Sequence, residues 1–563
     1  MQIFNLVGVV CFLAGKTNAE GKQEFYRKFA VNTELEQASE IGKKILLKGG
    51  NAIDAAIASA LAIGVVNSFS SGIGGGGFML IMKNVKGPYE NHFDMIDFRE
   101  VSPENADFSV YQSNPELSTT SGLSVAIPGE IKGFFEAHKK YGNLPWEDLF
   151  TDSIELAKGF AASEILVKKL NKNQKHIFAD RGLKDVFTKD GKLINVGDTV
   201  SRMNYSKTLK TLSKDPLSFY SGNIAKKIVE FVRKNGGNIT ESDLSKYQAI
   251  SRKVIKGSFY NYKIFTTNLP TSGIFIVEAL NILERLNIRD LIFMASNDKS
   301  YYIYHILIET LKFIISSKEK FGDPGFIEDV NHKISMIISD AYARKIARKF
   351  KMDKILTDEE YGFKHTLKED HGTTHLNIID PEGNVVSMTT TINLEFGSKL
   401  SDPETGIIFN NHMDDFFYPD KSVRANRQYN NVLARRKRPL SSASPMILMG
   451  EDDMIVVGGS GGSRITSSLV FFIGYLIAGK NIDESIKLCR IHTQIYPNII
   501  LIEPTLSGDV IANLEKLGHK INLSEVNTSF TSLQAIQVVK LEKGQKRIYA
   551  VSDYRKNGKS AGE

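Results

Sequence analysis

At 563 residues and 42% hydrophobic content the chain can bury a large core, and its length points to more than one structural unit. The net charge of +7, from 71 basic and 64 acidic residues, is small for this size and spread along the chain. That balance gives no footprint for nucleic acid. No internal repeat, coiled coil or low-complexity segment interrupts it.

In chain order, residues 1–19 (MQIFNLVGVVCFLAGKTNA) carry a short apolar stretch closed by polar and small residues, which reads as a secretory signal peptide. About a dozen apolar residues is too short for a bilayer, which takes roughly twenty, so secretion is expected. Cys11 lies in that segment, so the mature chain keeps only Cys489 and an intramolecular disulfide is excluded. Sequons at Asn204, Asn238, Asn522 and Asn527 are compatible with a glycosylated secreted protein.

Residues 34–48 predict an amphipathic helix stopped by Gly49-Gly50, and 52–66 an Ala-rich helix ahead of a glycine loop. That loop, Gly72 to Gly77, follows a helix and precedes the strand-like FMLIM, the wrong order for a phosphate-binding turn. Residues 154–350 read as mainly helical, broken around Asn268-Leu269-Pro270. Within them 301–321 is an apolar helix with His305, Glu309 and Lys312 on one polar face. From Thr373 strands are expected to dominate: LNIID and VVSMT are apolar arms joined by the turn signal Pro381-Glu382-Gly383-Asn384. Helices before and strands after fit an α+β layered architecture. The run Arg435-Arg436-Lys437-Arg438 reads as a solvated loop ahead of Pro439, and 468–480 as a core helix. Gly458 to Gly462 has no following Lys-Ser/Thr, so it is no P-loop.

The chemistry concentrates at Gly372-Thr373-Thr374-His375. If the Gly372–Thr373 bond cleaves itself, Thr373 supplies both a hydroxyl nucleophile and a base. The freed α-amine, with an unperturbed pKa of about 8, accepts the hydroxyl proton. Such a residue needs no metal or cofactor, and no His/Cys/Asp group has ligand spacing in the sequence.

The segment GTTHLNIIDPEGNVVSMTTTINLEFGSKL at 372–400 resembles the γ-glutamyltranspeptidase family of N-terminal-nucleophile hydrolases. So do, in the same order, GGNAIDAAIASALAIGVV at 49–66, SGIGGGGFM at 71–79, DFRE at 97–100, AIPGEIKGF at 126–134 and LPWEDLF at 144–150. GDPGF at 322–326, GIIFNNHMDDF at 406–416, RPLSSASPMI at 438–447 and GGSGGSRI at 458–465 complete a match across nearly the whole chain. The resemblance implies a four-layer αββα sandwich, autoprocessed into a large chain, 20–372, and a small chain, 373–563, interleaved as a heterodimer.

It also implies the chemistry: γ-glutamyl transfer and hydrolysis on glutathione and other γ-glutamyl compounds, with water, amino acids or dipeptides as acceptors. Thr373 is then the nucleophile, Thr391 its hydrogen-bonding partner, and the Gly461 and Gly462 amides the oxyanion donors. Arg99, helped by Ser441 and Ser442, takes the substrate α-carboxylate, and Asp415 with Asn393 takes the α-ammonium. A charged zwitterion needs such paired niches. His412 departs from the family, which usually has Glu or Gln there. A neutral imidazole accepts from an ammonium and a protonated one repels it, so protonation below about 6.5, or higher if Asp415 raises that pKa, is expected to weaken binding. Three alternatives stay open: a glutaryl-cleaving acylase, which has no need of an ammonium niche; a secreted homologue that binds without turnover; and, as in animal members, an uncleaved N-terminal anchor at the cell surface.

Overall fold

The hairpin predicted around Pro381–Asn384 forms the centre of the protein. In the computed structural model, which describes residues 24–84, 91–294, 300–362, 372–418, 429–495, 498–523, 531–542 and 545–563, its arms are Gly372–Ile379 and Val385–Asn393. The arms pair antiparallel from Ile379↔Val385 to Gly372↔Asn393, with a bulge between Gly372 and Thr374. A bulge re-aims one side chain within a ladder, and here it falls on Thr373. The expected signal segment and Asn527 lie outside the described residues.

The hairpin sits in a seven-stranded antiparallel sheet, in spatial order Lys559–Gly562, Ala30–Thr33, Gly372–Ile379, Val385–Asn393, Gly76–Lys83, His92–Phe98 and Ile250–Arg252. A second seven-stranded sheet runs Glu24–Tyr26, Lys546–Ser552, Ser532–Lys540, Asp453–Ser460, Met446–Met449, Tyr262–Thr266 and Ile255–Phe259. Alternation along the strands decides which face meets what. Leu80 and Met82 of the first sheet meet Val456, Ile536 and Ile548 of the second, closing an apolar layer between the sheets. Met79 and Ile81, one residue out of phase, pack outward under the helices Glu36–Leu47, Ala52–Val66 and Glu130–Tyr141. On the far side Ile455 and Val457 pack under Gly273–Arg285, Tyr301–Lys318 and Arg464–Ile477. The result is the expected helix–sheet–sheet–helix stack.

Local chemistry explains the helices nearest the sheet. Ala52–Val66 starts at Asn51, whose side chain accepts from the Ile53 and Asp54 amides while Asp54 answers to the Asn51 amide. Such a reciprocal cap satisfies donors a helix start leaves open. Every residue of this helix is buried, which its small Ala side chains permit at close range to the sheet.

One expectation fails. Helices do not precede Thr373 and strands follow it; half of the fourteen strands in the two sheets come from before residue 373. Strands such as Ile255–Phe259 and Tyr262–Thr266 lie in the region read as helical because they are five residues long and followed by the thirteen-residue helix Gly273–Arg285, which dominates a windowed periodicity. The consequence is interleaving. Gly372–Ile379 is bordered by Ala30–Thr33 on one side and, through Val385–Asn393, by Gly76–Lys83 on the other. Segments on both sides of Gly372–Thr373 share each sheet.

Candidate active site

Thr373 is buried where the strand Gly372–Ile379 begins, with its hydroxyl donating to the Gly372 carbonyl, the group just upstream. Thr391, on the neighbouring arm, donates its own hydroxyl to the same carbonyl oxygen at 2.7 Å and stands 3.2 Å from Thr373 Oγ1. Its orientation is fixed from the other side by the Asn393 amide, which donates to Thr391 Oγ1 at 2.8 Å. Two hydroxyls on one carbonyl polarise it, which suits attack at the Gly372 carbonyl carbon. His375 is no base here. It is buried between the sheets against Gly458, bonded to Thr389 at 2.8 Å and Asn377 at 3.0 Å, and burial pushes its pKa down to about 3.

The glycine loop follows the strand Asp453–Ser460 and leads into the helix Arg464–Ile477. Gly461 and Gly462 have φ of 120° and 62°, the left-handed region that glycine enters without strain, and a Cβ on Gly461 would meet Thr531 at 3.0 Å. The strand-end Ser460 ties this loop to the nucleophile: Lys556 Nζ donates to Ser460 Oγ at 2.6 Å and to the Thr373 carbonyl at 2.9 Å. Lys556 also donates to Glu34 Oε2 at 2.9 Å, and Glu34 accepts from Ser460 and from Thr374. Neither Glu34 nor Lys556 was singled out from the sequence. They are separated by 522 positions and belong to no spacing pattern.

Arg99 is buried beside Asp97 and Glu100. Its guanidinium donates to the Pro439 and Leu440 carbonyls at 3.3 and 3.0 Å and to the Asp415 carboxylate. The segment carrying Ser441 and Ser442 is thereby held against it. Ser441 Oγ accepts from the Ala443 amide at 3.1 Å, and Ser442 Oγ accepts from Lys318 at 2.7 Å. Asn393 has φ of 75°, and its amide nitrogen donates to the Asn411 carbonyl at 3.1 Å. Its Oδ1 is buried with no protein partner. A buried acceptor without a donor is costly, and it marks where a ligand donor belongs.

The basic run is a correction. Arg435 and Arg436 are exposed, but Lys437 and Arg438 are buried, and burial pushes the Lys437 ammonium down to about 8. Arg438 lies 3.6 Å from Asp97 and donates to the Arg99 and Gln248 carbonyls. A four-residue charge run cannot show that its last two members turn inward to pair.

His412 is a second correction. The turn His412–Asp415 places its imidazole in the interior, with Nδ1 3.0 Å from Glu100 Oε1. Burial first, and the Arg99 charge second, hold its pKa well below 6.5, so the expected upward pull of Asp415 loses. Burial also pushes the Glu100 carboxyl up to about 8. His412 is therefore neutral at working pH and turned toward Glu100.

Among the described residues, His305, Glu309 and His519 bring metal-ligand atoms within 4.8 Å of one another, a cluster invisible to sequence spacing. Apart from His519 Nδ1, their ligand atoms are engaged. His305 bonds His519 and the Lys351 carbonyl, both at 2.8 Å, while Glu309 takes the buried Lys312 ammonium at 3.1 Å and the Tyr361 hydroxyl at 2.5 Å. A metal cation there would confront the lysine charge, so the cluster reads as a buried polar network.

Comparison with known proteins gives the same picture. The gamma-glutamyltranspeptidase profile matches residues 38–563. Glutathione hydrolase proenzyme 1 of Schizosaccharomyces pombe is 38% identical over 94% of this chain and 84% of its own length. Cephalosporin acylase from Bacillus halodurans shares the fold, with a TM-score of 0.84 at 23% identity over 98% of both chains. The gamma-glutamyltranspeptidase of Helicobacter pylori superposes with a TM-score of 0.54 at 31% identity, covering 62% of this chain and 96% of that one. This chain belongs to the gamma-glutamyltranspeptidase family.

Proposed function

We infer that the protein cleaves itself between Gly372 and Thr373 and then hydrolyses or transfers γ-glutamyl groups through Thr373. The observation that carries this is the Thr373 hydroxyl set against the Gly372 carbonyl, with Thr391 donating to the same oxygen. In the precursor, Oγ1 forms a bond to the Gly372 carbonyl carbon and the C–N bond breaks. The nitrogen takes the hydroxyl proton, and water then hydrolyses the ester. In the mature enzyme the same oxygen attacks the γ-amide carbon of the donor. The α-amine accepts the hydroxyl proton and passes it to the leaving amine, while the Gly461 and Gly462 amides face the oxyanion. Water or an acceptor amine finally takes the acyl group from Thr373.

The donor's zwitterionic end fits the far side. Its carboxylate replaces Asp415 as the partner of Arg99, and its ammonium takes Asp415 and the Asn393 Oδ1 that has no protein donor. No buried charge is left alone by the exchange, as desolvation requires. An acylase acting on a glutaryl group would have no ammonium to offer these acceptors. Relatives named as glutathione hydrolases support glutathione as donor over binding without turnover. Amino acids and dipeptides are the acceptors we assign, and residues 1–19 support export to the outside of the cell. Among the described residues no helix is long and apolar enough to cross a membrane.

A denaturing gel with N-terminal sequencing tests the reading. The expected result is a small chain of 191 residues beginning at Thr373 and co-purifying with the large one. Turnover of a γ-glutamyl substrate by wholly uncleaved protein would sink it.

A further inference from the structure

The C-terminal turn is built to deliver one ammonium to the nucleophile. Asp553 is fully buried, paired with Arg490 at 3.0 Å and accepting from the Leu533 amide at 3.0 Å, and it caps the turn Tyr554–Lys556 through the Arg555 amide. Asn557 then takes φ of 53°, which swings the chain into the edge strand Lys559–Gly562 beside Ala30–Thr33. Lys556 is left pointing inward. Its three protons meet three acceptors: Glu34 Oε2, Ser460 Oγ and the carbonyl of Thr373.

We propose that Lys556, seated by Glu34 and Ser460, is the positioning residue of the Thr373 nucleophile. It clamps the Thr373 carbonyl once the bond to Gly372 is gone, and its charge keeps the new α-amine in the free-base form. After cleavage Thr373 is a chain end, and a chain end frays unless something holds it. Strand pairing does not hold Thr373 itself, because the bulge falls there. Lys556 does. The carbonyl and the amine belong to one residue, so the ammonium, 2.9 Å from that carbonyl, lies within about 6 Å of the amine, a range over which a like charge disfavours protonation. Glu34 offsets part of that effect from the same side. The next charges outward are Lys169 and Lys172, both on Glu395 at 2.7 and 3.1 Å, with Lys399 beside them, a group left unchanged by the variants below, and His375 stays neutral. A residue that served only as a counter-ion to Glu34 would need no bond to Thr373.

This rests on the Thr373 reading above, and the tests separate the two. Lys556→Met should cleave, stay assembled and shift the acid limb of the kcat/KM–pH profile upward by about one unit, because the amine then protonates more readily. Lys556→Arg should restore the wild-type limb. Glu34→Gln should move it the opposite way, by removing the compensating negative charge. A cleaved, active Lys556→Met with an unmoved limb overturns the proposal while leaving the nucleophile intact, and so does a Glu34→Gln limb that stays or moves upward. If Lys556→Met fails to cleave, restoration of cleavage by Lys556→Arg supports the clamp, and failure of that rescue overturns it. An uncleaved but active wild type would instead sink the Thr373 reading.

Discussion

The two sides of the active site differ in how complete they are. On the nucleophile side Thr391, Ser460, Glu34 and the three protons of Lys556 all have protein partners. On the substrate side Arg99 and Asp415 hold each other, and Asn393 Oδ1 is buried without a donor. On the function proposed above, the chemistry is assembled before substrate arrives, whereas recognition is finished only by a zwitterion that can divide the Arg99–Asp415 pair. Preorganised donors stabilise a transition state without reorganising during reaction, which explains why the first side is saturated. Buried charges cannot wait unpaired, which explains why the second side is closed on itself.

If that contrast holds, the largest effect comes from Thr373→Ala. The variant should remain a full-length chain with no measurable γ-glutamyl turnover and a nearly normal melting curve, since Thr391 keeps its bonds to the Gly372 carbonyl and the Asn393 amide without the lost hydroxyl. Any self-cleavage in Thr373→Ala would assign the nucleophile elsewhere. Arg99→Ala comes next. It should cleave normally, because Arg99 bonds Asp415, Pro439 and Leu440 rather than the Thr373–Thr391 pair, yet lose about 2–4 kcal/mol of transition-state binding, roughly 30- to 1000-fold in kcat/KM. Part of that loss reflects Asp415 left without its cation. An unchanged kcat/KM would remove Arg99 from the site.

Much of the saturated side could be read from sequence because it is local. Thr373 and Thr391 sit on two arms of one hairpin with a plain turn signal, and the glycine loop announces itself by composition. The layered fold was legible through the hairpin and the long helices, and the short strands at 250–266 were not, because five residues beside a thirteen-residue helix carry too little periodicity. Lys556 and Glu34 were illegible for a different reason: one follows a strand near the start of the chain and the other ends a turn near its finish, and only the sheet that pairs Ala30–Thr33 with Lys559–Gly562 brings them together. The inward turn of Arg438 was hidden in the same way, since Asp97, Arg99 and Gln248 lie across the fold, whereas Lys437 turns in onto the nearby Asn430 and Val432 carbonyls.

A smaller effect should follow from Asn393→Gly. Glycine takes the φ of 75° freely, so the variant removes the acceptor without straining the backbone. Loss of one hydrogen bond to a charged donor costs about 1.5 kcal/mol, so KM for the donor should rise roughly tenfold while kcat changes little. A fall in kcat with KM constant would place Asn393 on the nucleophile side, acting through the Thr391 hydroxyl that its amide holds.

The smallest effect is expected at His412. Burial and then the Arg99 charge hold its folded pKa well below 6.5, so donor KM in the wild type should show no rise as pH falls through 6.5. Stability should not stay flat. The unfolded chain binds a proton at this histidine below about 6.5 while the folded one does not, so the stability contributed by the neutral imidazole is present above 6.5 and is lost as pH falls below it. His412→Gln keeps a neutral hydrogen-bonding side chain and should change KM by about twofold or less while flattening the acid side of the melting-temperature profile. His412→Glu should do harm, because it sets a second carboxyl beside Glu100, whose own carboxyl is already held up at about 8 by burial. One of the two must then keep its proton, and donor binding should weaken rather than tighten. A wild-type KM that climbs as pH drops through 6.5, with a level profile in His412→Gln, would show the imidazole charging in front of the substrate ammonium and would move His412 from the closed interior to the open side of the niche.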